Sequence, residues 1–255
     1  MEMFVERNSI VRKIWGNSDT VLFIFAGASA EFALNKAVDW LYYTGKLPAD
    51  PLGRLFSTVG YARKIVFAST DQANQSIDFI RNIHTSVEQS REKAIPDWAY
   101  RDVLFMLIHY SITSYELLET KLSDSEKEEV YNVFYRLGLR MGLKELPNNY
   151  NDWLPIRDEH LLQNLEKSKF TIDLFKQYKK HLGTIRFNLL LGVQKLIIPK
   201  IAKDKLFKNQ ITLLKPIIKV YKISKIIKID TAIKNLLLPP NYKNQIKEID
   251  IQPKF

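Results

Sequence analysis

Three side chains in the first third of the chain, Arg54, Thr58 and His84, have the chemistry of a cofactor pocket. Arg54 and Thr58 are four residues apart and share one face of a helix, while His84 lies on the apolar face of the helix that follows. A buried imidazole close to a buried cation and a hydroxyl is one way in which proteins hold a haem group or a metal ion. The same residue types also occur as hydrogen-bonded groups of an ordinary core, so both interpretations stay open here.

The partner of Arg54 distinguishes these two interpretations. A buried arginine needs an anion nearby, because an unpaired buried charge is strongly unfavourable. In the structural interpretation that anion is a neighbouring carboxylate such as Asp50 or Asp78. In the functional interpretation it is a haem propionate, a carboxylate substrate or a bound oxygen species.

The other three histidines are weaker candidates for chemistry. His109 lies in a segment that is apolar on nearly every side, so it is either a core histidine bonded to a carbonyl or hydroxyl, or a ligand. His160 and His181 have charged neighbours, and both are predicted to lie at the surface.

The chain has no cysteine, which excludes disulfides, iron–sulfur clusters, cysteine-zinc sites and thiolate-ligated haem. The sequence also lacks the HExxH, GxGxxG, P-loop and GxSxG motifs. Neither His84 nor His109 has the glutamate three residues earlier that di-iron helical bundles use. A metal ion would therefore depend on histidine, carboxylate or tyrosine ligands.

Capping signals and helical spacing predict an all-α fold, a single large domain of about eight to eleven helices with globin-like packing around a buried pocket. Ile77, Ile80, His84 and Val87 follow a spacing of three and four residues, which puts His84 on the packed face of its helix. One helix is predicted to start at Ser18 or Asp19 and to run to Thr44-Gly45. Further helix starts are predicted at Asp50, Ser69, Pro96 and Ser123, and the helix that starts at Ser123 is predicted to end at Gly142.

Net charge is confined to the last quarter of the sequence. Residues 1–194 carry 24 basic and 24 acidic side chains, whereas residues 195–255 carry 14 lysines, no arginine and four acidic residues. Amphipathic lysine–isoleucine helices over 195–240 suit an anionic membrane surface, although a solvated face remains an alternative. Nucleic acid is disfavoured, because base readout relies on arginine.

These patterns predict one helical domain over 1–194, basic helices over 195–240 that pack on or extend it, and a tail over 241–255. The N-terminus has no apolar stretch of signal-peptide length, and no run of 18 apolar residues occurs. We therefore expect a cytoplasmic protein that is peripheral to a membrane if its basic helices bind one.

Four segments, taken together, resemble the mpaB/rubber-oxygenase family. Residues 50–58 resemble its D-P-x-x-R-L-x-x-T element, and residues 81–87 resemble its R-x-x-H-x-x-V element. Residues 107–109 and 122–126 resemble the next helix and the L-S-D-x-E turn of that family. The order and spacing of these elements carry the resemblance, which is good over 18–155.

The resemblance implies an all-helical protein that binds haem b, with His84 as the proximal iron ligand. It places Arg54, Thr58, Arg81 and His109 at the cofactor, with Arg54 and Thr58 also acting in catalysis. Members of the family cleave carbon–carbon double bonds of isoprenoid chains with dioxygen. The expected function is therefore a haem-dependent oxygenase whose partners are O₂ and a small apolar substrate, an isoprenoid or an unsaturated lipid.

The sequence also departs from the family in two places. Rubber oxygenases carry a lysine just before the motif threonine, where this chain has Ser57, and many bacterial relatives have a histidine where residues 38–44 have none. Asp39 is the carboxylate best placed there to act as a base. These departures favour the alternative function, a non-catalytic haem-binding or haem-free helical protein that acts at a membrane surface.

Overall fold

The structure, a computed structural model, describes residues 2–45 and 49–208, without the side chains of Leu55 and Phe56. Over these residues the chain forms ten α-helices and no β-strand, which confirms the predicted all-α domain. The helices are α1 (Ile10–Trp15), α2 (Ser18–Leu34), α3 (Val38–Tyr43), α4 (Pro51–Val66), α5 (Thr70–Arg91), α6 (Asp97–Leu118), α7 (Asp124–Met141), α8 (Tyr150–Asn164), α9 (Lys169–Ile197) and α10 (Lys200–Phe207).

Helices α2 and α6 form the centre of the core. Most of α2 is buried, and α6 is buried from Leu104 to Ile112 except at the half-buried Leu107 and His109. Gly27 lets the two helices approach closely, because a Cβ atom at this position would overlap the ring of Tyr110. The apolar segment around His109 therefore lies in a central helix of the core.

One helix boundary was predicted wrongly. The segment from Ser18 to Thr44 is not one helix, because the backbone becomes extended at Asn35 and separates α2 from α3. The Asn35 side chain stabilises this break: its Oδ1 accepts a hydrogen bond from the Ala37 N–H at 2.8 Å, and its Nδ2 donates to Asp102 at 2.7 Å.

The helix starts predicted at Asp50, Ser69, Pro96 and Ser123 are confirmed, whereas α2 is capped by Asn17 and not by Ser18 or Asp19. Asp50 caps α4 by accepting from the Gly53 N–H at 2.9 Å, and Pro51 occupies the first helical position. Ser69 caps α5, and Ser123 forms a full capping box with Glu126 at the start of α7. Gly142 ends α7 with a φ of 87°, a left-handed conformation that favours glycine.

A buried ion pair joins α2, α6 and α8. Glu31 accepts hydrogen bonds from the hydroxyl of Tyr110 at 2.7 Å and from Nη2 of Arg157 at 2.5 Å. Both charged side chains are almost inaccessible to solvent. Breaking one partner of such a pair is costly, because the remaining charge stays buried without compensation.

His160 does not lie at the surface, in contrast to its prediction. Its side chain is only 12% exposed, and its Nδ1 lies 2.5 Å from Oδ1 of the buried Asp102. Asn35 and Asn164 donate to the same carboxylate. A buried carboxylate needs several hydrogen-bond donors, and this need draws His160 inward despite its charged sequence neighbours. His181 is exposed, as predicted.

The C-terminal part of the described chain continues the same core. Ile197, Ile198, Ala202 and Phe207 are buried in the main hydrophobic cluster. Most of the predicted basic segment 195–240 and all of the tail 241–255 lie outside the described residues, so the division into domains stays a prediction. Within the described ranges, no helix combines the length and apolar character needed to cross a bilayer.

Replacing Arg157 by Met should lower the free energy of unfolding by roughly 3–5 kcal/mol, because Glu31 then stays buried without its cation. Urea unfolding followed by circular dichroism measures the change. The matched control replaces all three partners, in the variant Glu31→Leu, Tyr110→Phe, Arg157→Met, and should recover most of the loss. Equal stability of the single variant and the wild type would contradict this role of the ion pair.

Candidate functional site

The candidate site lies between α4 and α5, which form a helical hairpin. Only Phe67, Ala68 and Ser69 separate the two helices, so they pack side by side in opposite directions. Arg54 lies in the first turn of α4 and His84 in the second half of α5. The hairpin therefore brings the two predicted residues together, and the charge of Arg54 is close enough to lower the pKa of His84.

Two hydroxyls of α4 hold the Arg54 guanidinium. Its Nη1 donates to Oγ1 of Thr58 at 2.9 Å and to Oγ of Ser57 at 3.3 Å. Both hydroxyls in turn donate to the Arg54 carbonyl. Burial lowers the pKa of Arg54, since removal from water disfavours the charged form. The hydroxyls orient the guanidinium, but they cannot neutralise it.

Neither proposed carboxylate partner forms an ion pair with Arg54. Asp78 instead pairs with Arg140 on α7 at 2.5 Å, and Asp50 caps the start of α4. Among the described residues, no carboxylate lies within 4.0 Å of the Arg54 guanidinium. The half-buried cation is thus available for an anion from outside the described residues.

His84 is half-buried, and its Nδ1 atom has no hydrogen-bond partner among the described residues. Its pKa is lowered, first because burial disfavours the charged ring and second because Arg54 lies nearby, while Glu88 opposes the shift. The ring is therefore neutral at physiological pH. A neutral imidazole with an unsatisfied nitrogen is the form in which histidine binds a metal.

Two residues that sequence reasoning missed lie behind the His84 ring. The ring of Tyr100, from α6, lies 5.2 Å from the His84 ring, measured between centroids. Glu88, one turn after His84 on α5, accepts hydrogen bonds from the Tyr100 hydroxyl at 3.1 Å and from the Ile95 N–H at 2.8 Å. Glu88 could have been predicted from the sequence, because residues four apart on a helix lie on the same face. Tyr100 could not, because it approaches His84 only when α6 packs against α5.

Arg81 and Asp39, two other predicted site residues, have surroundings of their own. Arg81 is exposed, one turn before His84. Asp39 pairs with Arg91 at 2.7 Å, and the Arg91 guanidinium stacks over the Trp40 ring with its carbon 4.1 Å from the centroid. This contact fixes α3 against the end of α5. Any role of Asp39 as a base requires the ion pair with Arg91 to open.

His109 lies on the other side of α6. It is nine residues after Tyr100, which is half a turn out of phase on an α-helix, so the two side chains point in opposite directions. His109 borders a cavity of about 230 Å³ together with Trp153 and Arg157. Burial, and next the charge of Arg157, lower the pKa of His109 to about 3. The structure therefore does not bring His109 to the Arg54–His84 side.

A family model described as "ER-bound oxygenase mpaB/B'/Rubber oxygenase, catalytic domain" matches residues 13–205. The chain belongs to this family. The match runs from α1 to α10, so the mpaB/rubber-oxygenase domain covers the candidate site and extends beyond the resemblance seen over 18–155. No curated protein and no solved structure matches the chain significantly.

Membership in the mpaB/rubber-oxygenase family identifies the chain as an oxygenase catalytic domain. Three of the predicted residues lie on one helical hairpin: Arg54 donates to Thr58 on α4, and the charge of Arg54 lowers the pKa of His84 on α5. The roles of all the predicted residues stay predictions, including those of Asp39, Arg81 and His109.

The pKa of His84 in the haem-free protein should rise in Arg54→Gln, which removes a nearby positive charge, and fall further in Glu88→Gln. NMR titration of the ring measures both changes, with the His181 resonance on α9 as an internal control. Because the folded-state pKa lies below the ordinary value of 6.5, the unfolded chain takes up this proton first, so His84 lowers stability as the pH falls below 6.5. An unchanged pKa in Arg54→Gln would show that the two side chains are not neighbours.

Proposed function

We propose that the chain is a haem b-dependent oxygenase that acts on an apolar substrate with carbon–carbon double bonds, of the isoprenoid or unsaturated-lipid class. The proposal rests on the closeness of His84 and Arg54. His84 is a neutral imidazole whose Nδ1 has no hydrogen-bond partner among the described residues. Arg54 is a half-buried cation that has no carboxylate partner among those residues and is held by Thr58. The family match supplies the reaction class.

The residues of this site fit a haem group. Haem b is commonly held by a histidine at its iron and by cationic partners at its propionates. His84 would hold the iron, and Arg54 would hold a propionate. A metal ion bound by protein ligands alone needs three or four clustered side chains, and residues 2–45 and 49–208 contain no such cluster of histidine and carboxylate groups. When bound, haem supplies dioxygen binding and activation.

The chain's own residues prepare this site in two ways. Burial and the charge of Arg54 keep His84 neutral, which matters because a protonated imidazole has no lone pair for a metal. Thr58 and Ser57 fix the direction of the Arg54 guanidinium, and Tyr100, held by Glu88, restricts the rotation of the His84 ring. Positioned groups of this kind lower the cost of ordering the site when the cofactor binds.

A second candidate function is a non-catalytic haem-binding or haem-free protein that acts at a membrane surface. Two observations favour it. Ser57 is exposed and bonded to Arg54, so this position supplies a hydroxyl rather than the lysine of the rubber oxygenases. Asp39, the carboxylate expected to act as a base, is bound to Arg91, and residues 38–44 contain no histidine that could replace it.

Replacing His84 by Ala should abolish retention of haem while the protein stays helical, because the iron loses its protein ligand. Absorption spectra of protein purified from haem-supplemented cells measure retention through the Soret band, and far-UV circular dichroism measures the fold. The matched control is His181→Ala, which removes an exposed imidazole on α9 and should keep the full band. A full Soret band in His84→Ala would refute the assignment of the axial ligand.

Oxygen consumption separates the two candidate functions. The haem-loaded protein should consume oxygen with an unsaturated isoprenoid such as squalene and not with its saturated analogue squalane, because only the first has double bonds. An oxygen electrode records the rate, and mass spectrometry identifies carbonyl products. Haem loading without oxygen consumption on squalene or on an unsaturated fatty acid would favour the non-catalytic function.

A further inference from the structure

The first half of α9 presents an exposed face of lysines. Lys169, Lys176, Lys179 and Lys180 are all exposed, and their spacing places them within about a third of the helix circumference. Among the described residues, no carboxylate lies within 4.0 Å of any of these four ammonium groups. The face is therefore a concentrated positive charge without internal neutralisation.

The opposite side of the helix fixes this orientation. Leu174 and Tyr178 are buried in a cluster with Ala33 of α2. Asp173 is the one acidic residue between Ser168 and the end of α9, and it accepts a hydrogen bond from the Tyr42 hydroxyl at 2.9 Å. Because the apolar side is used by the core, the lysine face has to point outward.

An isoleucine interrupts the lysine surface with an apolar group. Ile172 lies among the lysines by helical spacing and is 50% exposed. Gly183, with a φ of 71°, kinks α9 after this lysine face. An exposed isoleucine is unfavourable in water, and its burial in a lipid interface is favourable. An isoleucine beside lysines therefore suits a surface that is both anionic and apolar.

We propose that this α9 face, with Lys169, Lys176, Lys179, Lys180 and Ile172, docks on the surface of an anionic lipid bilayer. The lysines contact the headgroups, and Ile172 enters the boundary between headgroups and acyl chains. A nucleic acid fits the face less well, because it would gain nothing from the isoleucine. This surface differs from the lysines after residue 195, and it belongs to a helix that packs against α4, which carries Arg54.

Sedimentation of the full chain with vesicles tests the proposal. The chain should bind phosphatidylcholine vesicles that contain roughly 30% phosphatidylserine and should not bind pure phosphatidylcholine, because the attraction depends on anionic headgroups. The variant Lys176→Gln, Lys179→Gln, Lys180→Gln should bind on the order of a hundredfold more weakly, since each lysine near such a surface contributes about fivefold. The variant Ile172→Ser should also bind more weakly, by a few-fold.

The matched control removes the same net charge from exposed lysines elsewhere, in Lys13→Gln, Lys93→Gln, Lys144→Gln, and should bind nearly as the wild type does. Wild-type binding by the α9 triple variant would overturn the proposal and place the membrane contact elsewhere. Displacement from the vesicles by duplex DNA, with the same lysine dependence and no effect of the isoleucine variant, would identify a nucleic-acid surface instead. The assay needs no haem, so its outcome is independent of the proposed oxygenase function.

Discussion

The architecture depends on one buried carboxylate. Glu31 of α2 accepts hydrogen bonds from Tyr110 of α6 and Arg157 of α8, and it fixes three helices at one point in the core. These helices cannot turn or separate without leaving a charge unpaired in a medium of low polarity, which costs several kcal/mol. The fixed helix α6 also carries Tyr100 near its start, so the same constraint places the Tyr100 ring against His84.

The candidate site differs from two other cation sites of the fold in how its charge is satisfied. Arg157 pairs with the carboxylate of Glu31, and Arg91 pairs with that of Asp39. In the hairpin of α4 and α5, a cation lies beside an imidazole, and neither can neutralise the other. Burial and the charge of Arg54 both disfavour protonation of His84 and lower its pKa. Such local departures from good pairing are typical of places where a ligand completes the structure.

The local parts of this site were predictable from the sequence, and the long-range parts were not. Asp50 and Ser69 marked the starts of α4 and α5 because capping is a short-range interaction, and the four-residue spacing of Arg54 and Thr58 put them on one face. His160 was misplaced because the buried Asp102 that holds it is 58 positions away. The break at Asn35 was missed for the same reason, since its side chain is held by Asp102 on another helix.

The central claim is that His84 and Arg54 complete a haem site, and the absorption spectrum of the wild-type protein tests it most directly. The protein is purified from haem-supplemented cells, reduced with dithionite and exposed to carbon monoxide. We expect a Soret band that shifts with carbon monoxide, which would show bound haem with an accessible iron. A spectrum without a Soret band, even after hemin is added to the purified protein, would show that His84 and Arg54 do not form a haem site.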